Sequence, residues 1–186
     1  MPAAAAPRRL FLVGLMAVGK TTVGRLLAQS LGWQSMDTDQ LIESRAGANI
    51  PWIFDVEGED GFRDREQAIL AEVASLSDVV VATGGGIVTR AANRALLKEA
   101  GTVIFLDSTV DRLLERTRRD SKRPLLQGKD RREVLTRLHE ERAPLYHEVA
   151  DYRFVTDRQG PKNLARRIEQ QLRKDGLFEA FSADPA

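Results

Sequence analysis

A turn that holds glycines, one lysine and one threonine carries the strongest chemical signal in this 186-residue chain. Gly14-Leu15-Met16-Ala17-Val18-Gly19-Lys20-Thr21 fits G-x-x-x-x-G-K-[ST] at each fixed position. These residue types suit phosphate chemistry. Glycine lets successive backbone N–H groups turn inward around an anion, and a helix that follows points its positive end at the same place. Lys20 then reaches the terminal phosphates, and the Thr21 hydroxyl can ligate Mg²⁺. A strand–helix turn that binds nothing is the plainer alternative, and the flanks weigh against it. Apolar Leu10 to Val13 precedes the turn, and Val23, Leu26, Leu27 and Leu31 follow at helix spacing. The stretch reads as a nucleotide-binding site.

Other residues could complete a phosphoryl-transfer site. Asp37 and Asp39, two positions apart after a short strand, suit different tasks: Asp37 an outer-shell partner of Mg²⁺, Asp39 a contact for an acceptor hydroxyl that must lose its proton. Either one can instead cap the helix that begins near Gln40. Asp107, at the end of the apolar run Val103 to Leu106, is a rival metal ligand, and a helix cap is its preferred reading. Gly84-Gly85-Gly86 after a buried strand permits backbone to approach a ligand closely. Arg63 and Arg142 could each grip a carboxylate with two parallel hydrogen bonds. Arg118, Arg119, Lys122 and Arg123 lie in or beside a loop without periodicity, which suits closure over a transferring phosphate. His139 and His147 lack ligand spacing and read as structural or exposed.

Those groups need a scaffold. Hydrophobic content of 42% and charged content of 30% suit a folded domain, and a net charge of +1 gives no reason to expect nucleic acid or a membrane as partner. Without cysteine there is no disulfide framework, thiolate metal site or cysteine nucleophile. No apolar run approaches the roughly 18 residues of a membrane span. The expected location is the cytoplasm and the expected state a monomer. The predicted organisation is a disordered lead-in over 1–8, one domain over 9–176 with a lid at about 118–130, and a loose tail over 177–186.

Strands are predicted at Leu10 to Val13, Trp33 to Met36, Val79 to Ala82, Val103 to Leu106 and Tyr152 to Val155. Helices are predicted after the phosphate loop to Gly32, from Gln40 to Arg45, over Asn49 to Phe54, and from about Glu59 to Leu76. Further ones run from Arg90 to Ala100, from a Ser108 or Thr109 cap to about Arg118, over Glu133 to Ala150 apart from Pro144, and over Lys162 to Lys174. Alternation of this kind, with mostly apolar strands, predicts an α/β fold with a parallel sheet covered on both faces. Ligands sit beyond the carboxyl ends of such strands, so the three strand-following segments, Gly14–Thr21, Asp37–Asp39 and Thr83–Gly86, should converge at one edge.

GLMAVGKTTVGRLLA, DTD, FRDRE, ATGGG, KRPLL and ERAPLY, in this order, resemble the shikimate kinase family over about Leu10 to Leu172. The resemblance implies a P-loop, nucleoside-monophosphate-kinase-like fold with a five-stranded parallel sheet. It also implies ATP-dependent phosphorylation of the 3-hydroxyl of shikimate, in the route to aromatic amino acids. By position, Asp39, Arg63, Gly84, Gly85, Gly86 and Arg142 would hold shikimate, both arginines facing its carboxylate, with Phe54 and Phe62 lining its ring. Gly14, Ala17, Val18, Gly19, Lys20, Thr21 and Thr22 would hold ATP, and Thr21, with Asp37 behind it, one Mg²⁺. Arg123 would contact ATP phosphates, so the catalytic set is Lys20, Asp39 and Arg123. Arg116 would stack on adenine opposite Pro161, with Gln159 nearby. Ala17 stands where the family usually has glycine, which implies a stiffer or slightly displaced loop. Gln159 replaces a frequent arginine and implies reshaped nucleotide contacts.

A gluconate-kinase-like enzyme of the same fold is the nearest alternative, and Arg63 and Arg142 beside the triple glycine set this chain apart from it. A kinase-like binding module would be expected to lack Lys20, Asp39 or Arg123, which are all present. A nucleotide switch would need a Walker-B aspartate and guanine recognition, and neither is convincing here.

Overall fold

The computed structural model describes residues 8–118, 126, 130–156 and 159–177. The lead-in before Arg8, the tail from Phe178 and most of the predicted lid, Arg123 included, lie outside the described residues. In chain order the elements are β1 (Arg9–Val13), α1 (Lys20–Leu31), β2 (Gln34–Asp37), α2 (Thr38–Ala46), α3 (Ile50–Val73) and β3 (Val79–Ala82). A 3₁₀ turn (Ile87–Thr89), α4 (Ala91–Ala100), β4 (Thr102–Asp107), α5 (Val110–Thr117), α6 (Arg131–Val149), β5 (Tyr152–Val155) and α7 (Gly160–Lys174) follow.

The five strands form one parallel sheet in the order β2-β3-β1-β4-β5. Phe11, Leu12 and Val13 of β1 and the four residues of β3 are buried, as continuous apolar runs covered on both faces require. The edge strands β2 and β5 are mixed in character because each has only one neighbour and is partly wet. This order places the carboxyl ends of β1, β3 and β2 side by side. Two hydrogen-bond sets stitch the loops that leave them: Thr83 donates from its N–H (3.1 Å) and its hydroxyl (2.8 Å) to the Leu12 carbonyl. The Gly84 N–H donates to the Thr38 hydroxyl at 2.9 Å. The expected convergence is therefore present.

Local departures have local causes. α2 begins at Thr38 because Asp37 is its N-cap, accepting from the N–H groups of Asp39 and Gln40. The two pieces expected around Asn49 to Leu76 join into α3, which starts at an Asn49 cap and kinks at Gly58 (φ 73°). α6 passes through Pro144 without a break. Pro144 and Glu140 both face solvent, so water can take the carbonyl that proline leaves without an N–H partner. Thr109, rather than Ser108, caps α5. In the segment expected to be an exposed loop, Leu126 is buried against the core and Asp130 caps α6.

Candidate active site

The phosphate loop leaves β1 and enters α1 with Gly19 as N-cap, no capping side chain and no acidic residue in the first turn. With no capping side chain at Gly19, the positive end of the helix is left for an anion. Gly14 lies against the Leu106 carbonyl of β4 so closely that a Cβ would collide with it. Ala17 adopts φ 62°, in the left-handed region where a glycine carries no penalty. Lys20 is buried and folds along the loop, with Nζ donating to the carbonyls of Gly14 (2.6 Å) and Leu15 (2.8 Å).

Asp37 is the N-cap of α2 and also meets Thr21. One carboxylate oxygen caps α2, and the other accepts the Thr21 hydroxyl at 2.5 Å. A hydroxyl and a carboxylate at one point are hard oxygen donors and suit a small divalent cation. Among the described residues no three acidic or histidine side chains gather to form a full cage. A cation held here would therefore take its other ligands from phosphate and water, as small cations at nucleotide sites do. Asp107 is neither a metal ligand candidate nor a cap: Arg153 holds it at 2.6 Å and His139 stands 3.7 Å away.

Beside the loop lies a cavity of about 640 Å³ lined by Met16, Asp37, Asp39, Phe54, Phe62, Arg63, Glu66, Gly84, Gly85, Gly86 and Arg142, among others. Phe54 and Phe62 pack ring against ring, with centroids 4.8 Å apart, and form an apolar wall. Arg63 and Arg142 are both buried, at 6% and 5% exposure, so two guanidinium groups face this space with little water around them. Arg63 donates from Nη1 to Glu66 (2.9 Å) and from Nη2 to Glu59 (3.1 Å).

The triple glycine has a steric origin that residue type alone did not reveal. A Cβ on Gly86 would collide with the Arg63 guanidinium, and one on Gly84 would come within 2.6 Å of Glu66 and 2.8 Å of Asp39. On Gly85 it would meet the Met16 N–H at 3.3 Å and Arg142 at 3.6 Å. The expectation was close approach of backbone to ligand. The groups that approach Gly84 and Gly86 here are the site's own side chains, and Gly85 lies nearest the Met16 backbone.

Two residues at the site were missed. Glu66 is fully buried, and burial pushes its carboxyl above the usual carboxylate range against the pull of Arg63, Arg142 and Arg90. Its Oε1 has no hydrogen-bond partner among the described residues. The i, i+3 spacing in FRDRE was the available signal. Tyr146 donates its hydroxyl to the Gly85 carbonyl at 2.5 Å and stacks on Phe105, so it supports the glycine turn from below. Burial pushes its phenol well above the ordinary value.

A second cavity of about 260 Å³ adjoins the loop and is lined by Ala17, Val18, Gly19, Thr22, Arg116 and Pro161, among others. Arg116 and Pro161 are thus brought together with the loop, as expected. Gln159 is exposed at the start of α7 and is not among the lining residues. Arg123 is outside the described residues.

The shikimate kinase family model matches residues 16–173. A shikimate kinase of Vibrio parahaemolyticus is 52% identical over 165 residues, 89% of this chain and 96% of that one. The structure of a shikimate kinase from Acinetobacter baumannii in complex with shikimate superposes with a TM-score of 0.89 at 46% identity, covering 91% of this chain and 94% of that one. A gluconokinase from Sinorhizobium meliloti has a TM-score of 0.54 at 18% identity over 92% of this chain and 99% of that one, a likeness of fold alone.

Proposed function

This chain belongs to the shikimate kinase family, an ATP-dependent phosphotransferase to the 3-hydroxyl of shikimate, and from that premise we propose how its residues divide the work. Shikimate lies in the larger cavity with its carboxylate between Arg63 and Arg142 and its ring against Phe54 and Phe62. The observation that carries this assignment is two buried arginines in one cavity, directly beside the phosphate loop.

In this reading Asp39 faces the 3-hydroxyl and takes its proton as the oxygen attacks the γ-phosphorus. The bond from that phosphorus to the bridging oxygen then breaks, and ADP leaves with the electron pair. Lys20 swings from its loop carbonyls to the phosphate oxygens and stabilises charge there, together with the first amides of α1. Arg123, outside the described residues, is assigned to the same phosphate oxygens. Thr21 would ligate the divalent metal with Asp37 behind it, and we assign that metal as Mg²⁺ because hard oxygen donors plus phosphates suit it. When bound, that ion neutralises phosphate charge.

The reading extends to a monomer working in the cytoplasm. Large apolar side chains left exposed among the described residues are Trp52, Val56 and Val155, too few for an extensive subunit interface. No helix among the described residues is long and apolar enough to cross a membrane. A coupled assay of ADP release tests the function directly. Turnover is expected with shikimate and not with gluconate, and turnover with gluconate alone would overturn the acceptor assignment.

A further inference from the structure

Arg116 does more in this structure than line the smaller cavity. From the last turn of α5 its Nη1 donates to two phosphate-loop carbonyls, Ala17 at 3.2 Å and Val18 at 3.0 Å. Those carbonyls belong to the peptide units whose N–H groups are those of Val18 and Gly19. A cation bound to the oxygen of a peptide unit fixes its plane and makes its N–H a stronger donor. The Val18 N–H makes a long bond of 3.4 Å to the Leu15 carbonyl. The Ala17 backbone also needs support, since its φ of 62° is one that an L side chain rarely adopts. α5 is a firm base for such a strut: Leu113 and Thr117 are buried, and Arg112 donates to the Thr156 carbonyl beyond β5.

We propose that Arg116 is a positioning residue for the phosphate loop: its guanidinium aims the N–H groups on either side of Val18 at the incoming phosphate and sustains the left-handed backbone of Ala17. The loop is thereby tied to α5. This role rests on the reading of the loop as the nucleotide site. It differs from a stacking contact with adenine, because it acts on phosphate in the absence of any base. It also gives the chain a reason to tolerate alanine at position 17: the arginine compensates for the methyl group.

The test is calorimetric titration of magnesium tripolyphosphate, which has no base, into the unmodified protein, R116A, A17G and the A17G/R116A double variant. R116A is expected to weaken tripolyphosphate binding about tenfold, the effect of losing a charged hydrogen-bond donor. In the A17G background the same change is expected to weaken it much less, since glycine needs no support at that φ. Titration of ADP into the unmodified protein checks the underlying reading, and no ADP binding there would overturn the nucleotide site itself. With ADP bound, the positioning role alone is overturned by any of three results: tripolyphosphate affinity undiminished in R116A, an equal loss in both backgrounds, or no tripolyphosphate binding to the unmodified protein.

Discussion

Glu66 stands one helical turn beyond Arg63 on α3 and accepts its Nη1 at 2.9 Å, with both side chains buried at the wall of the larger cavity. The pair fixes where the Arg63 guanidinium points, and the lack of a Cβ on Gly86 makes room for it there. A buried cation with a buried carboxylate behind it can face an anionic substrate without moving far. The four expected outcomes below depend on this arrangement and on the two aspartates across the cavity.

The first concerns pH. Burial raises the Glu66 carboxyl above its ordinary 4.5, so the folded state holds that proton more tightly than the unfolded chain does. A raised pKa contributes stability that is fully present below the ordinary value and is lost as pH rises through the raised one. Relative to E66Q, which has no such proton, the ligand-free protein should become progressively less stable over that window. Urea midpoints measured at a series of pH values give the difference between the two proteins. A difference that does not change with pH would mean that Glu66 titrates as an ordinary carboxylate.

Arg63→Ala and Arg142→Ala should each weaken shikimate binding by about 2–5 kcal/mol, the range for truncating one partner of a buried charge pair. ATP affinity should change far less. The two variants should differ in stability. Arg63→Ala strands the buried Glu66 carboxylate without its nearest cation, so its melting temperature should fall further than that of Arg142→Ala. Calorimetry with each ligand, beside thermal melts, checks both parts. Equal losses for shikimate and ATP would argue that these arginines support the fold and not the acceptor.

Asp37→Asn and Asp39→Asn should separate cleanly. Asp39 is assigned to the acceptor proton, so its asparagine variant should lose kcat by about 100-fold or more, the scale of general-base catalysis, while it still binds the metal–ATP complex. Asp37 touches Thr21, so its variant should need more Mg²⁺ for half-maximal rate. It should also lose little helix stability, because asparagine caps nearly as well as aspartate. If the Asp39 variant loses mainly Mg²⁺ affinity, the two roles are reversed.

Gly86→Ala should raise the KM for shikimate sharply, because the new methyl group takes the place of the Arg63 guanidinium. Gly86 itself has φ −92°, so the added side chain brings no backbone strain and the effect isolates the steric clash. Gly85→Ala meets its neighbours at 3.3 Å and beyond and should be milder. Steady-state kinetics on both variants distinguishes a steric role from simple loop flexibility, which would make the two substitutions alike.

Features set by neighbours in the chain were legible without a structure. The phosphate loop, the buried strands β1, β3 and β4, a cap of α5 at Ser108 or Thr109 and the inward face of Phe62, Ile69, Leu70 and Val73 depend on spacing within a few residues. Parallel pairing followed from how apolar the strands are. That in turn implied a common edge for the three loops, and the observed strand order places them there. The family was legible for the same reason, since each motif is a short run of fixed residue types.

Relations between motifs were not legible. Nothing in ATGGG says that its glycines make room for the side chains of FRDRE, or that the tyrosine of ERAPLY braces the same turn from below. Asp107 looked like a cap or a ligand by its place after a strand, and Arg153 and His139 claim it because β5 and α6 pack beside it. Arg116 meets the phosphate loop across roughly a hundred residues of chain. The sequence by itself determined the elements and the chemistry they bring, because backbone preference and apolar periodicity act over a few residues. Only the tertiary structure decided which groups are buried together and which hydrogen bonds they make, because excluded volume and desolvation act between residues that the chain does not bring together.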